Sequence, residues 1–291
     1  MDPGADAGPG TGLTTATAPQ VHAPVPAESR SLPPASGWPA TEVSVRLRRG
    51  AGGTVRVDGV LCSAPVWFRW DGATLWLVGS GASPVGEDHI RVRVDVGPGV
   101  AVAVRSVAAT VVYAARGGGT RWDTDIHVAE GARLDWRPEP LILTEQASHE
   151  ANTAVHAMPG ADVTLDEVLV LGRAGEATGT LRSSLAVRIH NAPVLLTSLD
   201  TSLPAWSGPA GVDGATVVAH RLRLGRDDAP APGGTSRRAA LLQPAPGCLL
   251  AIATAADVTQ ARQSMHAALP DGRCPADARS VHVPETGGQF D

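Results

Sequence analysis

Lysine is absent from the 291 residues, so all 24 basic side chains are arginine. A P-loop needs a lysine on its phosphates and Schiff-base catalysis needs a side-chain amine; both classes are excluded, the N-terminal amine apart. Cysteine is scarce. Cys62, Cys248 and Cys274 are odd in number, and no two have Cys-x-x-Cys spacing. Neither a disulfide framework nor a thiolate zinc site is expected, and reduced thiols in the cytosol fit the count. Long hydrophobic runs are missing: the charge-free apolar stretches (Gly97–Val104, Ser106–Ala115, Gly247–Ala256) reach about ten residues, against the ~20 a membrane-spanning helix requires. The first residues lack a basic region followed by an apolar one, the pattern of a secretory leader. A cytoplasmic protein without membrane contact is expected. Excess positive charge is missing too. With 29 acidic residues and a net charge of −5, the chain offers no basic face for nucleic acid. Catalytic motifs are absent: there is no His-Glu-x-x-His, no Gly-x-Gly-x-x-Gly opening a helix, and Gly81-Ala-Ser83-Pro-Val lacks the second glycine of a nucleophile elbow. No catalytic residue is assigned, and no enzymatic activity or permanently bound cofactor is expected.

Glycine (33) and proline (24), by contrast, approach a fifth of the chain, more than average use. They concentrate in residues 1–40, which cannot bury enough apolar surface to offset their ordering entropy and read as a disordered tail. Residues 41–225 read as a β-rich domain, 226–238 as a loop or linker, 239–270 as a C-terminal strand and helix packing on the domain, and 271–291 as a flexible tail. Val43, Val45 and Leu47 alternate with polar residues, as do Val55 and Val57, which is the strand period. Val66–Trp70 and Ala73–Val78 flank Asp71-Gly72, a hairpin signal. Trp67, Phe68, Trp70 and Trp76 gather there, as core, as cross-strand pairs or as a ligand platform. Ala109–Ala115 fits helix or strand. Near the C-terminus, Thr254-Ala-Ala-Asp257 has capping-box spacing, and Val258, Ala261, Met265 and Leu269 follow at helical intervals.

The chain also repeats itself. Val94-Asp-Val-Gly-Pro-Gly99-Val-Ala-Val102, Ile126-His-Val-Ala-Glu-Gly131-Ala-Arg-Leu134 and Val155-His-Ala-Met-Pro-Gly160-Ala-Asp-Val163 share one pattern of strand, glycine turn and strand. The turn glycines are 32 and then 29 residues apart. In a fourth, degenerate copy, Val187-Arg-Ile-His-Asn191-Ala-Pro-Val194, asparagine takes the glycine position, as positive φ allows. A period near 30 predicts stacked two-strand units that close a common core. The fold class is mainly β: a solenoid-like stack, or a sandwich-like array of hairpins, with few short helices.

Nine histidines are scattered, and each reads as a surface or hydrogen-bonded residue rather than a ligand. His149 and His156, seven apart, face opposite ways on a strand. The carboxylates worth following are Asp88, after the Gly-rich run Gly79–Glu87; Glu139, between two prolines; Glu145; and Glu176, after an apolar strand and close to Arg173. From spacing alone these are solvated loop charges or the lining of a polar path.

Three segments, in order, carry a family resemblance. Asp88 to Tyr113 contains Ala108-Ala-Thr-Val-Val-Tyr113; Leu134-Asp-Trp-Arg-Pro-Glu-Pro-Leu-Ile-Leu-Thr-Glu145 is a Trp-x-Pro-x-Pro-x-Ile type of block; and Val170-Leu-Gly-Arg-Ala-Gly-Glu176 is a Leu-Gly-Arg-x-x-Gly-Glu type of block. Together, from about Gly79 to Gly225, they resemble the UreD (UreH) family of urease accessory proteins, in the style of its Arg-rich actinobacterial members. The chain departs from the family at Glu87, Val112 and Thr144, where glycine, lysine and phenylalanine are common. The resemblance implies a mainly β, non-enzymatic scaffold. Such a scaffold docks on the urease apoprotein subunits, binds the partner UreF and, through the complex, the GTPase UreG, and helps deliver nickel to the urease active site by a polar internal passage. Asp88, Glu139, Glu145 and Glu176 are then the expected transient Ni²⁺ path, since oxygen donors release nickel more readily than imidazole or thiolate. Arg173 is expected to fix a carboxylate, because guanidinium cannot ligate a cation. Two other functions fit the residues: a carbohydrate- or ligand-binding β-domain using the Trp-rich hairpin, and a hydrolase with Glu139 and Glu145 as its carboxyl pair.

Overall fold

The computed structural model describes residues 40–114, 118–225 and 238–271. The expectations for residues 1–39, 226–237 and 272–291, Cys274 among them, lie outside the described residues. Seventeen strands follow in order: β1 (Thr41–Arg49), β2 (Val55–Leu61), β3 (Val66–Trp70), β4 (Thr74–Gly79), β5 (His89–Val96), β6 (Ala101–Ser106), β7 (Thr110–Val112), β8 (Thr120–Val128) and β9 (Arg133–Arg137). Then come β10 (Leu141–Leu143), β11 (Ser148–Ala157), β12 (Asp162–Val170), β13 (Thr180–Ile189), β14 (Ala192–Asp200), β15 (Val217–Leu224), β16 (Ala239–Ala245) and β17 (Cys248–Ala255), and last the helix α1 (Val258–Ala268). The segment 109–115, ambiguous by sequence, contributes the short strand β7.

The strands form two facing sheets, ordered β14-β13-β11-β8-β5-β1-β2 and β16-β17-β15-β12-β9-β6-β4-β3. The repeat explains both. Each glycine turn is a corner that takes the chain from the first sheet (β5, β8, β11) to the second (β6, β9, β12). Successive copies stack in parallel, in a register that equals the repeat spacing: Val94 pairs with Ile126 and Ile126 with Val155 in one sheet, Val102 with Leu134 and Leu134 with Val163 in the other. Gly99, Gly131 and Gly160 all have φ between 63 and 75°, where an L side chain is costly. The two strands of a unit therefore part company instead of pairing with each other, and the stack is a solenoid-like coil. The fourth copy differs. His190 (φ 48°) and Asn191 (φ 65°) are both left-handed, the requirement of a two-residue hairpin, so β14 folds back antiparallel on β13 within the first sheet.

Alternation does the rest. Inward rows such as Val94–Ile126–Val155–Val187 and Val102–Leu134–Val163 are fully buried and build one core between the sheets. Each large apolar side chain buried there contributes ~1.5–3 kcal/mol. Outside the second sheet, α1 covers β15 and β17 with Ala261, Met265 and Ala268, so every residue of β15 is buried. Arg221 of β15 is 1% exposed beneath the helix, and its Nε and Nη2 donate to the Asp166 carboxylate at 2.7 and 2.6 Å. The helix is capped by Asp257, whose side chain accepts from the Gln260 N–H at 2.9 Å. The capping-box reading placed the cap at Thr254, but that residue is held in β17 by its ladder bonds. At Asp71-Gly72 the hairpin forms as expected: Asp71 accepts from the N–H groups of Ala73 and Thr74 (2.8 and 2.7 Å) and from Trp76 Nε1 (2.7 Å).

Candidate functional site

The apolar rows do not run the full width of the coil. Towards the end where β11 and β13 begin, the inward positions of the first sheet become small or polar: Thr124, His149, Ala151, Thr153 and Ser183 replace Val and Ile. Opposite them, β12 follows its inward Val163 and Leu165 with Glu167. Small side chains leave space, and the sheets enclose a cavity of about 380 Å³ lined by these residues, by Trp122 and Trp136, and by the 106–111 segment and Glu139 at its edge.

The polar groups inside are few and tightly bound. Thr153 Oγ1 donates to Glu167 Oε1 at 2.5 Å. His220, across the ladder from Glu167, places Nδ1 4.0 Å from Glu167 Oε2. His149 is 2% exposed, with Nδ1 2.6 Å from Thr120 Oγ1. Burial pushes its pKa down to about 4, against the opposing effect of Thr120 and Asp123, so the ring is neutral at pH 7. His149 Nε2 and His220 Nδ1 are buried without a hydrogen-bond partner among the described residues. Buried polar atoms are normally satisfied, so the unanswered Nε2 of the cavity-lining His149 marks this space as able to take a polar guest.

The outer face of the first sheet carries charges in register. Arg121 bonds Glu150, Glu150 bonds Arg182, and Arg182 bonds Asp200, one step per strand. Asp123 accepts from Arg121 and Asn152 and contacts His89 Nε2 at 2.8 Å. Burial opposes its ionisation, yet these bonds hold its carboxyl below the usual range. Further along, Asp125, His127 and His156 form a cluster. Sequence reading foresaw no histidine grouping; the structure makes one by pairing His127 with His156 across β8 and β11. Burial and the neighbouring His127 hold His156 below its ordinary pKa.

The four expected path carboxylates are not brought to one place. Glu139 lies at the cavity edge and accepts from Arg262 Nη2 of α1 at 3.1 Å. Asp88 Oδ2 accepts from Ser83 Oγ (2.6 Å) and the Val85 N–H (3.0 Å), which closes its own loop. Ser83 in turn touches the cavity. Glu145 and Glu176 meet each other: Glu176 Oε2 accepts the Glu145 N–H at 3.2 Å, while Arg173 grips Oε1 through Nε at 2.9 Å and through Nη2. That guanidinium holds the Glu176 carboxyl below its usual range. Sequence reading missed Glu167 and His220; it named His149 as a surface or hydrogen-bonded residue facing away from His156, and the structure has it hydrogen-bonded, facing the cavity. The available signal was a charged or polar residue at an inward position of an otherwise apolar strand.

In the Trp-rich hairpin, Trp67 is 46% exposed and donates to Ser80 Oγ at 3.0 Å, and Trp76 is tied to Asp71. Among the described residues the one stacked ring pair is His127 with His156. No helix among them is long and apolar enough to cross a membrane.

A family described as UreD urease accessory protein matches residues 42–278. The chain is 30% identical over 242 residues to a urease accessory protein UreD of Frankia alni, covering 69% of this chain and 80% of that one. It is 35% identical over 199 residues to a urease accessory protein UreD 1 of Saccharopolyspora erythraea (68% and 78%). To a urease accessory protein UreD of Streptomyces coelicolor it is 32% identical over 234 residues (78% and 85%).

Proposed function

The chain belongs to the UreD urease accessory protein family, and from that premise we propose that it is a non-enzymatic scaffold which docks on the urease apoprotein with UreF and the GTPase UreG and passes nickel through its own interior. The observation that carries the reading is the cavity between the sheets, with a single carboxylate, Glu167, at its polar end. An ion in transit must be bound weakly enough to leave. One carboxylate, a threonine hydroxyl and the neutral His149 imidazole serve that better than a closed set of three or four anionic or thiolate ligands. Glu139 stands at the edge, where the ion exchanges between water and the interior. Asp88, Glu145 and Glu176 border the path. The hydrogen bonds of Asp88 to Ser83 and Val85 and of Glu176 to Arg173 tie the 81–88 and 173–176 turns, and the Glu145 N–H donates to Glu176.

Deleting the gene in a urease-producing host should leave urease protein at its normal level but poor in nickel and inactive. The wild-type gene should restore nickel content. Glu167→Gln keeps an acceptor for Thr153 and removes only the charge; it should still co-purify with urease and UreF while nickel loading falls. Active, fully loaded urease in the deletion strain at ordinary nickel supply would reject the assignment. Normal loading with Glu167→Gln would remove the interior carboxylate from the path.

A further inference from the structure

Metal-ligating side chains also converge outside the cavity, on the solvent side of the first sheet. Asp125 and His127 are two apart on β8, so strand alternation sends them to one face. The parallel ladder sets His156 of β11 beside His127. The two imidazoles stack with centroids 4.6 Å apart and planes inclined by 10°, which aims both Nε2 atoms at the same carboxylate. His127 Nε2 is 2.9 Å from Asp125 Oδ2, and His156 Nε2 is 3.3 Å from Asp125 Oδ1. One ligand atom from each residue lies within 4.8 Å of the other two. The second contact is an ion-pair distance without hydrogen-bond geometry, so Asp125 Oδ1 is buried with no hydrogen-bond partner among the described residues. Two imidazole nitrogens and an unanswered carboxylate oxygen thus face one point.

The geometry points to a binding site for a late first-row divalent ion of the nickel or zinc class, held by Asp125, His127 and His156. Imidazole suits these metals, and three protein ligands leave coordination positions open for water or an incoming donor. The surroundings set its strength. Arg93 of β5 bonds Asp95 at 3.0 Å and reaches Asp125 at 3.5 Å, while Arg46 and Arg188 line the same groove. Their charge works against a bare cation, so the site exchanges its ion instead of burying it. The two histidine side chains remain partly exposed, so an ion reaches them from solvent and meets the Asp125 carboxylate beneath. The site lies on the opposite side of the sheet from the cavity and does not depend on the maturation reading.

The test is calorimetric titration of the full-length chain with NiCl₂, and separately ZnCl₂, in a non-coordinating buffer. Wild type is compared with His127→Gln, His156→Gln and, as a control at the N-cap of α1, Asp257→Asn. Each histidine variant should lose one metal equivalent that Asp257→Asn retains. Unchanged stoichiometry and affinity in both histidine variants overturns the proposal. A readout free of any substitution is the histidine ring NMR spectrum of the wild type. Substoichiometric Ni²⁺ should broaden the His127 and His156 resonances first, and broadening confined to other histidines overturns it equally.

Discussion

His149 gives the sharpest test of the buried polar interior. Its imidazole is 2% exposed, and burial lowers its pKa from 6.5 to about 4. Between those two values the unfolded chain binds a proton that the folded chain refuses, so stability falls as pH falls through the window and the loss is complete once pH drops below the folded pKa. Relative to neutral pH, this group costs the folded state about 1 kcal/mol at pH 5.5, rising to about 3 kcal/mol in all once the pH falls below the folded value. His149→Asn keeps a hydrogen-bonding atom where Nδ1 meets Thr120 and removes the titration. Other groups titrate in both proteins, so the informative quantity is wild type minus variant. Urea unfolding, followed by the fluorescence of the cavity-lining Trp122 and Trp136, measures it at pH 7.5, 5.5 and 4.5. Wild type should lose ground to the variant by the stated amounts as the solution is acidified. A difference that stays flat over that range would refute both the burial and the sign.

Three further outcomes follow from the packing. Arg221→Leu removes both hydrogen bonds to the buried Asp166, leaving it only the more distant Arg137 at 3.9 Å, and should destabilise the protein by about 3 kcal/mol in urea, with α1 losing its anchor at Leu269, whose carbonyl accepts from Arg221 Nη1. Asp257→Ala removes the N-cap of α1 and should cost about 1 kcal/mol by the same assay. At Gly131 (φ 63°) an added Cβ meets nothing within 4 Å, so Gly131→Ala carries only the left-handed backbone penalty of about 1 kcal/mol; thermal unfolding that shows no change would contradict the corner geometry.

Much of the coil is legible in the sequence because its ladder spacing is the repeat spacing: superposing the copies already writes out the pairs Val94–Ile126–Val155. What the pattern hides is whether a turn is a corner or a hairpin. Both need positive φ. The difference lies in one left-handed residue at Gly99, Gly131 and Gly160 against two in succession at His190 and Asn191. The interior site is hidden for a related reason. Glu167 is conspicuous only once Val163 and Leu165 are known to point inward, and Val168 beside it is buried from the other face against α1, which blurs the alternation. The family resemblance draws attention to the carboxylates of its motifs, Asp88, Glu139, Glu145 and Glu176, of which Asp88 and Glu176 hydrogen-bond within their own loops. The histidine pair was within reach, since the repeat alignment lays His127 on His156, but its meaning rests on lateral neighbours 29 residues apart.

Because each coil touches only the ones above and below it, the molecule's thickness is counted in whole turns of chain. Excising the stretch from one corner glycine to the next would set former second neighbours side by side with their side chains still facing the right way, whereas a cut one residue longer or shorter would turn core residues towards water. Growth or shrinkage of such a protein is therefore stepwise, and injury to one layer is contained by its two adjoining layers.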